Sequence, residues 1–381
     1  MKRCDAPAPD RISHWGAAKR MLAAHHIPDS LRIDINAFPW LGLVVGMQAA
    51  IAAVVAIIVT LLSPWPEMTG YTVLGTMIAL FGRFSVGRAR LKVLVQCALC
   101  QLSGVVIMSL AGYALAFEGQ LLVLALLCGL FFVTTVSCRF GPPGALIFVF
   151  AAGASLGPTD IWQTAVDRGL AVCAGAVLSL VLCVASDVLA QKAIKSMPAV
   201  PVMHQPSRRS LLIAACRIAL TAFVASWATH WAGAAHPAWA ALGVVAVMQG
   251  IHLHLTIYRA VQRMAGTLAG ALIVWGLLHQ QPSFWVVVLL LAIAQVAAEL
   301  VIGLNYALTQ IFVTVMALLT TYFLSGGRAG TEIAAERILD TMVGATIALV
   351  FALIFSTLDE RTHIEQRAKE RQSLLLKSSV P

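Results

Sequence analysis

Long apolar stretches recur along this chain at near-regular intervals, separated by short connectors that carry most of the lysine and arginine. They lie at about residues 40–62, 68–82, 92–115, 121–138, 143–157 and 162–186. After a polar linker from Lys192 to Arg209, six more follow at 211–232, 237–253, 264–279, 284–304, 306–325 and 333–357. About 20 apolar residues in helical form cross the hydrocarbon core of a bilayer. Charged residues are 11% of the chain, against about 25% in a soluble domain. With 60% hydrophobic residues, the chain has too little polar surface to cover a water-soluble core. In lipid the backbone must satisfy its own hydrogen bonds, and runs of this length do so as helices. The expected fold is an all-α polytopic membrane protein with about twelve transmembrane helices. The stretches 68–82 and 143–157 are short for a full crossing, so tilted, broken or re-entrant geometry stays open there.

Charge placement tests the layout independently. With the N-terminus in the cytoplasm, 22 of the 26 Lys and Arg residues fall in cytoplasmic segments, and only Arg328 lies in an outer loop. That is the bias of the positive-inside rule. It also accounts for the net charge of +9 without a nucleic-acid partner. The expected organisation is a basic cytoplasmic segment (1–39), a six-helix half (40–186), a cytoplasmic linker (187–210), a second six-helix half (211–357) and a cytoplasmic tail (358–381). The stretch from Ile12 to Ile27 reads either as a helix on the membrane surface or as a loose tail. No secretory signal is expected, because the first apolar run starts near Trp40 and is too long.

The halves resemble each other. Leu74-Gly75 matches Leu242-Gly243 at an offset of 168, and Asp167-Arg168 with Gly175 matches Glu336-Arg337 with Gly344 at 169. Two six-helix halves share orientation, so the repeat is expected to be parallel, about an axis along the membrane normal.

Enzymatic motifs are lacking: there is no H-E-x-x-H, no phosphate-binding lysine loop and no G-x-S-x-G. No enzyme, metal or cofactor is expected. His252 and His254 have no carboxylate nearby and read as polar loop residues, and Cys97 and Cys100 read as packing residues despite their C-x-x-C spacing. Gly42/Gly46 and Gly266/Gly270 have the spacing that lets helix backbones approach closely.

Charges within spans are the informative residues, since each costs about 2.5–3.5 kcal/mol at mid-bilayer. Arg168 and Arg337 occupy matching positions, each after an acid (Asp167 or Glu336), and Asp340 follows Arg337 on the same helical face. Two readings stand: an internal ion pair joining helices, or two arginines holding an anion on a path between the halves. Guanidinium suits a carboxylate because its planar fork donates two parallel hydrogen bonds. Arg259 and Arg263, four apart, are expected at the inner surface, where they meet lipid phosphates or draw cytosolic anions to an entrance. Glu299 and Asp340 are candidate proton-coupling groups. The alternative for Glu299 is snorkelling or pairing with a cytosolic arginine.

The stretch Y-R-A-V-Q-R-M-A-G-T-L-A-G-A-L (Tyr258 to Leu272) resembles the signature of the fusaric acid resistance family. That group includes bacterial aromatic carboxylic acid exporters and is related to plant aluminium-activated malate transporters. The resemblance extends through N-Y-A-L-T-Q-I-F-V-T-V (Asn305 to Val315) and E-R-I-L-D-T-M-V-G-A (Glu336 to Ala345). F-G-P-P-G-A-L-I-F-V (Phe140 to Val149) and D-R-G-L-A-V-C-A-G (Asp167 to Gly175) are the weaker first-half counterpart. The first half lacks the R-x-x-G-T motif, so the halves are not expected to be equivalent. Many members also carry a large cytosolic domain, for which the segments 187–210 and 358–381 leave no room.

The resemblance implies a bacterial inner-membrane exporter of small organic anions, of the fusaric acid or hydroxybenzoate type, with a periplasmic adaptor protein as a partner. Without a nucleotide motif, an ion gradient is the expected energy source. Trp275 and Phe312 are candidate walls for an aromatic ring. A passive anion channel and a non-transporting membrane scaffold are the alternatives, and homo-oligomer formation stays open.

Overall fold

A computed structural model describes residues 39–85, 87–159, 161–188, 206–249, 253–302, 304–326 and 331–355. The stretch from Ile12 to Ile27, most of the linker, His252, the side chain of His254, Arg328 and the C-terminal tail lie outside the described residues.

Among the described residues the chain forms twelve α-helices and no strand. The first half contributes α1 (Pro39–Leu61), α2 (Thr69–Thr76), α3 (Gly87–Ala114), α4 (Phe117–Cys138), α5 (Leu146–Gly153) and α6 (Gln163–Ala185). The second contributes α7 (Arg208–Trp231), α8 (Ala238–Met248), α9 (Leu253–His279), α10 (Phe284–Val301), α11 (Tyr306–Leu324) and α12 (Glu332–Ile354). Nine of these twelve are long and apolar enough to cross a membrane. The chain is a multi-pass α-helical membrane protein.

The three exceptions are α2, α5 and α8, with 8, 8 and 11 residues. At about 1.5 Å per residue none alone reaches across a core of about 30 Å. The stretches 68–82 and 143–157 therefore form short helices, α2 being flanked by 3-10 turns at Pro66–Met68 and Met77–Leu80. The stretch 237–253 is also short, which its hydropathy did not indicate. All three are buried along most of their length. Long helices surround them and turn apolar side chains outward, as with Leu122, Leu126 and Leu130 on α4. Those outward chains meet lipid, and the short helices form the interior.

Helix contacts follow the same pattern in both halves. In the first half α2 packs on α6, α3 on α6 and α3 on α5; in the second α8 packs on α12, α9 on α12 and α9 on α11. Across the halves α1 packs on α10 and α4 on α7, while α2 meets α11 and α5 meets α8. The start of α2 meets the end of α11 at Gly70 and Leu324, and the end of α5 meets the start of α8 at Gly153 and Ala238. We call this end of the bundle the far face, and the end where α1 begins the near face.

Glycines set the closest approaches. A Cβ on Gly42 would strike the Glu299 carbonyl oxygen, and one on Gly46 would lie 2.8 Å from the Val296 Cα, so α1 and α10 meet backbone to backbone. Gly266 and Gly270 do the same for α9 against α11, each 2.5 Å from a carbonyl oxygen, of Ala307 and Ile311. Both small-residue spacings thus act as helix contacts.

Candidate anion-binding site

The contact between α9 and α11 determines what lies beside it. Arg263, Gly266, Thr267 and Gly270 share one face of α9, because residues three and four apart are neighbours on a helix. With Gly266 and Gly270 pressed on α11, Arg263 is carried into the interior and is 1% exposed. Its Nη1 donates to Gln310 Oε1 at 3.3 Å. Gln310 Nε2 in turn donates to Thr267 Oγ1 at 3.3 Å and Thr314 Oγ1 at 3.1 Å. Asn305 caps α11, its side chain accepting from the Ala307 N–H at 2.6 Å, and so starts the helix that presents Gln310.

From the other side α12 brings Arg337, Asp340 and Thr341, all buried. Gly344 lies against the Ala240 carbonyl oxygen, holding α12 on α8. The Arg337 guanidinium, 1% exposed, stands 5.1 Å from the centre of the Trp239 ring of α8. Arg263 repels Arg337 and Asp340 attracts it. Among the described residues Arg337 and Asp340 make no hydrogen bond or ion pair. Four guanidinium nitrogens in this cluster are buried without an acceptor: Nε and Nη2 of Arg263, and Nε and Nη1 of Arg337. Asp340 Oδ2 is buried without a donor and Thr341 Oγ1 without any hydrogen-bond partner. A buried donor without an acceptor costs about 1–3 kcal/mol, and more when charged. Two like charges side by side add repulsion. Among the described residues the cluster carries positive charge that is only partly matched.

At the far face Glu336 does not pair with Arg337. It accepts from the His236 backbone N–H at 2.7 Å and meets His236 Nδ1 at 2.7 Å. The His236 ring stacks on Trp239, 4.5 Å between centroids and 10° between planes. His236, Trp239 and Arg337 thus run from a 37% exposed imidazole to a fully buried guanidinium.

The remaining candidates are placed as follows. Arg168 lies in the first half, half-buried, 5.1 Å from the Tyr71 ring centre. Its Nη1 donates to Ser109 Oγ at 3.3 Å and to the Ser155 carbonyl at 3.4 Å. It makes no ion pair with Asp167 among the described residues. Arg259 is half-buried one turn closer to the near face than Arg263. The expectation that both arginines sit at a surface entrance does not describe Arg263, which the glycine face turns inward. Glu299 forms a 2.7 Å ion pair with Arg83, 8% and 4% exposed, joining the halves near the end of α10. Trp275 is half exposed on the outside of α9, stacked on His279, so it is not beside the cluster. The aromatic residue that is, Trp239, went unnoticed in the sequence. Its signal was available: it stands 168 positions after Tyr71, the offset already seen for Leu74 and Leu242.

Also unforeseen is a polar network at the near face. Arg90 Nη2 donates to Gln48 Oε1 at 2.5 Å and Gln48 Nε2 to Ser186 Oγ at 2.6 Å. Asp187 accepts from the Gly87 N–H at 3.0 Å, at the start of α3, where a carboxylate is favoured by the helix dipole.

Residues 220–351 match the family described as fusaric acid resistance protein-like. That stretch, within the second half, is similar to fusaric acid resistance protein-like membrane regions. The match contains every residue of the incomplete cluster, with His236, Glu336 and Trp239, and excludes Arg83, Arg90 and Arg168. A relative, the uncharacterized membrane protein YvaC of Bacillus subtilis (strain 168), is 31% identical over 144 residues, 38% of this chain. The chain spans 23% of that relative's length. No solved structure matches the chain.

Proposed function

We propose that the chain is a carrier exporting small organic anions across a bacterial inner membrane, and that a carboxylate binds between Arg263 and Arg337. The observation that carries this reading is the set of four buried guanidinium nitrogens without acceptors. A carboxylate offers two oxygens that match the guanidinium fork, and it offsets both the lost hydrogen bonds and the repulsion between the arginines. Trp239 beside the site favours a cargo with an aromatic ring, such as fusaric acid or a hydroxybenzoate. With the near face cytoplasmic, Arg259 lies on the cytosolic side of Arg263 and raises local anion concentration there. An ion gradient supplies the energy for export. Glu299 is engaged by Arg83 and serves to join the halves.

The matched helix contacts and the two arginine–aromatic pairs at 5.1 Å support a parallel internal repeat of six elements. The anion site then belongs to one half of it, because offset 169 from Arg263 falls on Leu94.

The test uses purified full-length chain in proteoliposomes loaded with radiolabelled benzoate. Wild type should release it faster than protein-free vesicles under an imposed ion gradient. Arg263→Gln and Arg337→Gln should abolish release while keeping a wild-type elution profile on size exclusion. Release unchanged in both variants overturns the reading. Large uncoupled benzoate currents in a planar bilayer would identify a channel instead.

A further inference from the structure

The cluster contains one acid among its two guanidiniums. Asp340 is 3% exposed, lies one turn beyond Arg337 on α12, and has a buried Oδ2 without a partner. Arg337 attracts it and Glu336 repels it. Glu336 itself is turned away, bound through both oxygens to His236. With Asp340 ionised, the charge facing the site is two positive and one negative. A single carboxylate brings that sum to neutrality. A second carboxylate on the same cargo overshoots it and stands in the interior against Asp340, where like charges repel far more than in water.

The first half supplies a comparison within the same chain. At offset 169 the positions of Arg263, Asp340 and Thr341 are taken by Leu94, Ala171 and Val172, all apolar and buried. The arginine common to both halves, Arg168, is directed to Ser109 and the Ser155 carbonyl, and the buried arginine of α3, Arg90, is bound to Gln48 at the near face. At these offset positions neither a second guanidinium nor an acid is present. An acid at this position is not a requirement of the helix packing, since α2 packs on α6 without one as α8 packs on α12.

We infer that Asp340 is a specificity-determining residue, a counter-charge that admits monocarboxylates and excludes dicarboxylates of similar size. The inference rests on the reading of the cluster as a carboxylate site. It assigns to Asp340 an effect on cargo charge that is separate from any effect on stability.

The test compares benzoate with phthalate, which keeps the ring and adds a second carboxylate. Both are used as unlabelled competitors of radiolabelled benzoate in proteoliposomes of the full chain. Wild type should need at least about tenfold more phthalate than benzoate for half-inhibition, a difference readily measured as competing affinities. Asp340→Asn should bring the two within about threefold, and Asp340→Glu should keep the wild-type preference. A ratio is unaffected by how much protein folds. Equal inhibition by both acids in wild type overturns the inference whatever the variants do. An unchanged ratio in an active Asp340→Asn protein overturns it as well. If wild type transports no benzoate at all, the carboxylate reading itself fails.

Discussion

The guanidinium of Arg337 stands 5.1 Å from the centre of the Trp239 indole, on a helix other than its own. Such a contact is worth about 0.5–2 kcal/mol, toward the upper value where water is excluded. Trp239→Ala should lower the thermal midpoint of the purified protein and weaken benzoate transport, whereas Trp239→Phe should retain most of both. Thermal unfolding in detergent alongside proteoliposome release checks this. Equal loss in both variants would mean that the indole's shape, and not its face, is what matters.

Arg83 and Glu299 are a buried pair joining the halves. Removing one partner from such a pair typically costs about 3–5 kcal/mol, since a charge is left unmatched, and removing both costs less. Arg83→Gln and Glu299→Gln should each destabilise the protein strongly, and the double variant should recover part of that loss. A double-mutant cycle on thermal stability reads the coupling directly. Additive losses would show that the pair contributes nothing as a pair.

Gly266→Ala and Gly270→Ala place a methyl group 2.5 Å from carbonyl oxygens of α11. Overpacking of this kind costs about 1–3 kcal/mol. Both variants should also weaken benzoate binding, because separating α9 from α11 moves Arg263 off Gln310. Scintillation proximity binding on detergent-solubilised protein gives the affinity change.

Arg168 and Arg337 occupy matching positions, yet their surroundings differ. Arg168 already has two acceptors and is half-buried. Arg168→Gln should therefore reduce benzoate transport several-fold at most, by a rise in KM, while Arg337→Gln removes it. Initial rates across a benzoate series separate the two outcomes.

Much of this arrangement was legible in the sequence, and the residues that escaped share a cause. Each of the twelve described helices overlaps a stretch that hydropathy located, because lipid imposes a composition on whatever it surrounds, but only nine of them are long enough to cross a membrane. It did not mark α8 as short, since an interior helix is as apolar as a spanning one. Arg337 and Asp340 stood out because a charge in an apolar run demands explanation. Arg263 was expected at the surface because hydropathy reports depth along a helix but not which side faces a neighbour. Gly266, Thr267 and Gly270 did record that side, through their shared face with Arg263. Trp239 and Tyr71 were hidden because aromatic residues are common in membrane helices, and only their common offset distinguishes them. The donor to Glu299, by contrast, was among the alternatives the sequence offered, as an arginine, because few other charges were within reach.

The two glycine contacts in the second half have a mechanical consequence. Helices touching backbone to backbone cannot slide or roll independently, so α9 with α11 behaves as one stiff slab and α8 with α12 as another. Arg263 rides on the first slab, Arg337 and Asp340 on the second, and the proposed carboxylate site lies in the seam. Any rocking of one slab past the other alters the gap between the guanidiniums before it disturbs anything else. A grip that tightens and slackens with the same movement that changes access is what a pump needs in order to load at one side and let go at the other.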